Sequence, residues 1–231
     1  MKTSIKLLIG IAIAVLLTMV GTGWSFRHQY DQLDHSDPFA QYSRQTLPVF
    51  RVLRVVGSPG EVFLVQPGSA PTLRINSRFQ QKIAYRIVGD TLVVQYTPTD
   101  GELTDDRGIR AGDALSGLPL AVVAVPALQT VLVENATCKL ANWKLASLTI
   151  SQTGPNGATE LGNTIIDDLQ ATVSGGSLLR TAGKNAINRA TVMVKNKATF
   201  VAGEHTFAAL QLRADSTATV TLPGSLLAKI R

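Results

Sequence analysis

A chain of 231 residues that is 45% apolar and only 16% charged carries enough apolar mass for a sizeable core, and too few charges for a disordered or nucleic-acid-binding protein. Its net charge of +6 comes from no basic run: residues 1–30 hold three Lys/Arg and no acid, residues 31–120 nine against ten acids, and residues 121–231 ten against six. The single cysteine, Cys138, excludes an intramolecular disulfide, and its place in Cys138-x-Leu140 reads as a small buried hydrophobe.

Residues 1–26 read as a membrane signal. Lys2 and Lys6 precede an uncharged stretch from Leu7 to Phe26, about the length that spans a ~30 Å hydrocarbon core. Trp24 and Phe26 close the stretch and Arg27 follows, the pattern of interface anchors. The lysines predict a cytoplasmic N-terminus, with the rest of the chain exported. An uncleaved signal anchor, a single transmembrane helix in the lipid bilayer, fits the full length. A cleaved signal peptide is the alternative, with Gly21-Thr22-Gly23 as a weak small-x-small site. No cysteine closes the stretch, which argues against a lipoprotein.

Residues 27–47 are polar, with Asp31, Asp34, Asp37 and Pro38, and read as a spacer. From 48 to 126 short β-branched runs predict strands: Leu53-Arg54-Val55, Val62 to Val65, Leu73-Arg74-Ile75, Ile83 to Ile87, Leu92 to Tyr96 and Leu120 to Val125. Gly57-Ser58-Pro59-Gly60, Pro67-Gly68 and Gly89-Asp90 separate them as turns. Arg54, Arg74 and Arg86 alternate with apolar neighbours, so these strands have one wet face. Residues 97–118, with Pro98, Gly101, Gly108 and Gly112, interrupt the pattern as a loop.

Residues 127–231 carry a repeat. The apolar-x-apolar pairs Val131/Val133, Leu148/Ile150, Ala171/Val173, Val192/Val194 and Leu210/Leu212 recur 17, 23, 21 and 18 residues apart. A small residue follows each, in Ala136-Thr137, Ala158-Thr159, Ser177, Ala198-Thr199 and Ala218-Thr219. A period near twenty residues matches one turn of a β-solenoid. In such a stack the inward pairs form columns in a narrow core, small residues suit the corners, and outward Thr and Asn form ladders. A β-sandwich is the alternative, but it wants tight hairpin turns, and only Asn156-Gly157 has that form. The expected fold class is therefore all-β, a β-solenoid preceded by one N-terminal transmembrane helix. Residues 49–96 and the closing Pro223-Gly224 and Leu226-Leu227 are candidate caps for its two ends.

The run Val123-Ala-Val125-Pro126-Ala-Leu128-Gln-Thr-Val131-Leu-Val133 resembles the strand–Pro–strand junction of the head GIN domain family, auto-transporter adhesin-like proteins of Gram-negative bacteria. Val62-Phe63-Leu64-Val65-Gln66-Pro67-Gly68 and Gly89-Asp90-Thr91-Leu92-Val93-Val94 are similar to its earlier strands. The resemblance spans roughly residues 48–225 and departs from the family at Glu134-Asn135-Ala136-Thr137, where members commonly carry Gly/Ser-rich turns. It implies an exported β-solenoid and supplies no catalytic residues.

The residues show no convergent chemistry. Asp167-Asp168 is the one acidic pair of the repeat half, and strand neighbours point to opposite faces unless the backbone is irregular there. Glu134, Glu160, Glu204 and Asp215 read as solvated turn carboxylates. A glycosidase needs two carboxylates about 5–10 Å apart, and sugar-holding aromatics are scarce, Trp143 alone lying in the repeat half. The acidic loop from Asp100 to Gly108 offers oxygen ligands to calcium, but Arg107 opposes it and the spacing is not that of an EF-hand. His205, beside Glu204, reads as an exposed turn. No catalytic, cofactor-binding or metal-binding residues are therefore assigned, and no cofactor is expected. The expected role is non-enzymatic binding, adhesin-like or envelope-scaffolding, with envelope glycans or proteins as partners and no nucleic acid. A carbohydrate-active hydrolase or lyase on the same fold is the alternative.

Overall fold

The computed structural model describes residues 3–31, 37–98, 112–204 and 206–227. The chain divides into two compact units, residues 1–41 and 42–231.

The first unit contains helix α1 (Thr3–Asp31). Its apolar run holds no proline, and its few polar side chains are satisfied within the helix. The Thr18 hydroxyl donates to the carbonyls of Ala14 and Val15, and that of Thr22 to Thr18 and Met19. Such closure suits an apolar surrounding, where nothing else would accept those protons. Every side chain from Ile9 to His28 is exposed, and this segment is long and apolar enough to cross a membrane. A signal sequence has the same features. The helix continues past Phe26 because no proline interrupts it before Pro38.

The second unit is a β-solenoid. Its strands are β1 (Ser43–Thr46), β2 (Val52–Val56), β3 (Val62–Pro67), β4 (Thr72–Ile75), β5 (Ile83–Val88), β6 (Thr91–Tyr96), β7 (Ala121–Val125), β8 (Thr130–Glu134), β9 (Thr137–Ala141), β10 (Lys144–Thr153), β11 (Ala158–Gly162), β12 (Ile165–Ser174), β13 (Leu178–Ala182), β14 (Ala186–Lys195), β15 (Thr199–Val201), β16 (Phe207–Ala214) and β17 (Thr219–Thr221). A short helix α2 (Gly224–Leu227) follows, and 3-10 turns occupy Ser77–Lys82 and Asp113–Ser116. All strands predicted between 48 and 126 are present. β1 lies inside the segment read as a spacer. Its Ser-Arg-Gln-Thr carries no apolar residue, so only pairing with β4 makes it a strand.

The chain winds between two sheets. Sheet A runs β1-β4-β7-β3-β9-β11-β13-β15-β17, and sheet B runs β16-β14-β12-β10-β8-β2-β6-β5. From β8 each turn lays one strand in B and the next in A, and about four turns carry β8 to β16, all pairing parallel. The order departs from a simple winding at the start. β2 and β3 pair with β8 and β9 on one side and with β6 and β7 on the other, so the first coil laid down is the second in space. The cap foreseen in residues 49–96 is accordingly divided. β2, β3 and β6 belong to the parallel stack, while β5, antiparallel to β6, and β4 with β1, antiparallel to β7, close the end. At the other end Leu226 of α2 is buried against the core and Leu227 is exposed.

The core lies between the sheets as stacked columns. In sheet B, Leu92, Leu53, Val131, Ile150, Ala171, Val192 and Leu212 follow one another in register, and all but Leu212 are buried. Sheet A answers with Phe63, Cys138, Thr159, Leu179, Phe200 and Val220. Val192 and Val194 share their columns with Val131 and Val133, as the repeat predicts. The period itself is more even than the apolar pairs suggest. Val131 stacks on Ile150, not Leu148, and Val192 on Leu212, not Leu210, so equivalent positions recur after 19, 21, 21 and 20 residues. In β10 the shift comes from Gln152, a polar residue that fills the inward site Val133, Val173 and Val194 fill in other coils; in β16 that site is taken by Ala214. Gln152 is satisfied by the Thr159 hydroxyl and the carbonyl of Ala136.

The corners follow the same correction. Ala136 is equivalent to Gly157, not Ala158, because Thr137 pairs with Ala158. A Cβ at Gly157 would lie 2.5 Å from Gln152 Nε2 and 2.9 Å from the Ala136 carbonyl, so only glycine fits beside the buried amide. Asn156-Gly157 turns the chain from sheet B to sheet A and forms no hairpin. Asn135, Asn142, Asn156, Asn163 and Asn196 all have positive φ at corners, a conformation asparagine adopts at low cost.

Candidate functional site

The structure disperses the residues that sequence chemistry singles out. Cys138 is fully buried in the core, and desolvation pushes its thiol up to about 12, so no reactive thiolate forms at neutral pH. Trp143 is no sugar platform: its ring is buried and its Nε1 donates to the Val65 carbonyl at 3.0 Å. Glu204 is exposed, and His205 and the loop 99–111, with Asp100, Glu102, Asp105 and Asp106, lie outside the described residues. Among the described residues no three His, Cys, Asp or Glu side chains gather within reach of a metal ion.

Asp167 and Asp168 occupy an irregular strand. The parallel registers of β10, β12, β14 and β16 pass over Ala146, Asp167, Asn188 and Ala208, so the strand turns a corner there. Neither carboxylate enters the core. Asp167 Oδ1 accepts from Asn188 Nδ2 at 2.7 Å and Asp168 Oδ2 lies 3.2 Å from Arg189 Nη2, each bond bridging to the next coil. The pair acts as two ladder rungs.

Two surfaces stand out instead. The first is an ion ladder on the outer face of sheet A, where Lys139, Glu160 and Arg180 are consecutive in register. Glu160 Oε1 lies 2.9 Å from Lys139 Nζ, and Oε2 lies 2.6 Å from Arg180 Nη2. The carboxylate is 3% exposed and each cation 36%. Glu160 is thus a buried, doubly paired group and not a solvated turn residue. Its cover comes from the end of the segment 97–118: Leu115 packs on Ala158, Leu178 and Val201, and Gly112 approaches Leu178 and Arg180. Both carboxylate oxygens are taken up by cations, so neither is presented to a substrate.

The second is the outer face of sheet B. Thr91, Val52, Thr130, Thr149, Gln170, Thr191 and Gln211 form one registered row across seven parallel strands. Beside it run Val93, Arg54, Leu132, Ser151, Thr172, Met193 and Arg213. From Thr149 to Gln211 the first row is fully exposed. Parallel neighbours sit about 4.8 Å apart, so hydroxyls and amides repeat at that interval along the stack. Of the carboxylates flanking these rows, Glu134 is paired with Arg54 at 2.9 Å and Asp168 with Arg189 at 3.2 Å. The row on sheet B is an outward Thr ladder of the kind the repeat predicts, with Gln where Asn was expected, whereas residue-type reasoning missed the ion ladder. The signal of the ion ladder is spacing: Lys139, Glu160 and Arg180 stand 21 and 20 residues apart, the coil period itself.

No protein-family model matches the chain, so the head GIN resemblance is not shown as membership, and no curated protein matches it. Among solved structures it is similar to a putative adhesin of Bacteroides fragilis, at 11% identity and a TM-score of 0.47 over 78% of this chain and 94% of that one. It is also similar to a putative lipid binding protein of Parabacteroides distasonis, at 10% and 0.38 over 79% and 98%. A putative adhesin of Parabacteroides merdae matches at 10% and 0.35 over 78% and 95%.

Proposed function

We propose that this chain is a membrane-anchored, exported binding module of the adhesin-like, non-enzymatic kind, and that its ligand is a linear glycan lying across the outer face of sheet B. The observation that carries the reading is the registered row from Thr149 to Gln211. It repeats hydroxyl and amide donors and acceptors on a rigid lattice whose step is close in size to one sugar of an extended glycan. Each contact is weak, and side-by-side repetition supplies avidity. The anchor is α1, whose apolar length and internally satisfied threonines suit a bilayer.

The test uses residues 42–231, whose core cluster, Leu47 to Leu226, lies wholly within that unit. Screened against envelope polysaccharides and peptidoglycan fragments, it is expected to bind without cleavage, and Thr149→Glu with Gln170→Glu is expected to abolish the binding. Retained binding in that double variant rejects the face. Turnover of any glycan that disappears in Asp167→Asn or Asp168→Asn replaces the reading with an enzyme. For topology, protease added to spheroplasts should digest the solenoid and leave a membrane-embedded stub, and full protection rejects the export.

A further inference from the structure

We propose that the glycan on the outer face of sheet B is acidic, and that Lys195 and Arg213 read its carboxylates. The inference rests on the glycan reading of that face and names the class of polymer. Lys195 ends β14 and Arg213 stands in β16. Buried Val192 and Val194 alternate with Thr191, Met193 and Lys195, so these three point outward. The parallel register sets Gln211 beside Thr191 and Arg213 beside Met193. All five outward residues are exposed. Strand spacing and rise place the Cα atoms of Lys195 and Arg213 about 8 Å apart, close enough for both side chains to reach one carboxylate.

The row of Thr and Gln is charged differently on its two sides. On one side Asp168 is paired with Arg189, and Asp167 accepts from Asn188. On the other side, among the described residues, neither Lys195 nor Arg213 has a carboxylate partner. Asp215 follows Ala214, the partner of Val194, and so lies next to Lys195, but it turns its oxygens to the corner. Its Oδ2 accepts from the Asn196 N–H at 2.7 Å, and its Oδ1 from the N–H and hydroxyl of Thr217, each at 2.8 Å. The cations beside the row are thus left for a ligand.

The surrounding side chains favour a sugar acid over a bare anion. A uronate carries a carboxylate on one edge of its ring, hydroxyls on others and apolar C–H groups on its faces. The Arg213 fork matches a carboxylate bidentately, and Lys195 adds a point charge. Met193, 38% exposed between the two cations, offers a polarizable apolar surface to the ring. Thr191 and Gln211 stand one step away with donors and acceptors for the hydroxyls.

The experiment titrates residues 42–231 with polygalacturonate and with hyaluronan, each in its acid form and as its methyl ester, which removes the charge and keeps the chain. The acid forms are expected to bind about tenfold more tightly than the esters, a preference that fades as salt rises. Lys195→Gln with Arg213→Gln should lower acid-form affinity by about tenfold and leave ester binding unchanged. Lys144→Gln with Lys184→Gln removes the same charge at the start of β10 and just before β14, and should change affinity less than about twofold. Melting temperatures matched to the parent exclude unfolding as the cause. Equal binding of acid and ester, or equal losses in the two double variants, overturns the proposal. If that equal binding is still abolished by Thr149→Glu with Gln170→Glu, the row keeps its glycan and only the acidic preference falls. Binding of neither form overturns both readings. Tighter capture of polyphosphate than of either acidic glycan reassigns the cations to a phosphate polymer and overturns the sugar acid.

Discussion

The outer faces of the two sheets are built on one lattice and end in opposite states. On sheet B a registered row of Thr and Gln lies open to solvent. On sheet A a registered row of Lys139, Glu160 and Arg180 is overlain by the end of a loop. The winding gives every coil an outward residue at the same height, so the difference comes from what crosses the face. Residues 112–116 lie over A and bring a carboxylate to near-complete burial, which only two flanking cations make tolerable. Nothing among the described residues crosses B at the same coils. An exposed outward residue can change identity at little cost, whereas a covered one is as constrained as the core.

Substitutions divide along that line. The largest effect belongs to the shared interior: Val192→Asp buries an unpaired carboxylate in the column of Val131 and should cost ~3–5 kcal/mol in denaturant unfolding. Lys195→Asp, exposed on the B side, should stay within about 0.5 kcal/mol. Equal melting temperatures for the two would break the column assignment.

Glu160 and Glu134 give the sharpest contrast between the faces. Glu160→Ala leaves two cations adjacent under the loop. Each retains some solvent, so the loss should be about 1–3 kcal/mol, less than for a fully buried pair. Glu134→Ala removes the half-exposed partner of Arg54 on the B side and should cost less than Glu160→Ala. A reversed order, read by chemical denaturation, would mean the loop does not cover sheet A in solution.

A corner tests how far the interior reaches. Gly157→Ala drives a methyl into Gln152 and the Ala136 carbonyl, for a loss of about 1–3 kcal/mol. Combining it with Gln152→Ala, which vacates the contact, should recover part of the loss in a double-mutant cycle.

The smallest effect is pH-dependent. The Asp215 carboxylate is held below its ordinary range first by the backbone N–H of Asn196, at 2.7 Å, then by the hydroxyl and N–H of Thr217. Because its folded pKa is depressed, its contribution is complete above the unfolded carboxylate value of about 3.9 and fades as pH falls through the folded value. Asp215→Asn should therefore lower the melting temperature slightly at neutral pH and leave the difference smaller in acid. A difference that grows on acidification would contradict the assignment.

The amino-acid pattern was most informative where one residue answers to one environment. The apolar run from Leu7 to Phe26 made α1 legible, and β-branched runs bounded by Gly and Pro made β2 to β7 legible, because local composition suffices for an apolar helix or a half-buried strand. The recurrence of Val131, Ala171 and Val192 made the solenoid legible, since stacked coils must place equivalent side chains at equal intervals. Gln152 broke the recurrence, because a buried amide satisfied by Thr159 and Ala136 looks, as a letter, like a surface residue.

What the tertiary structure alone decided were relations between distant segments. β1 exists as a strand only because β4 offers an edge, and β2 and β3 lie second in the stack only because β4 to β7 return to build the coil outside them. Glu160 is buried between Lys139 and Arg180, where the segment 112–116 packs on the neighbouring Ala158 and Leu178. A single residue fixes its own propensity and polarity through its covalent structure. Its burial and its electrostatic partners are set by whichever chain is laid beside it, and here that chain lies twenty or more residues away.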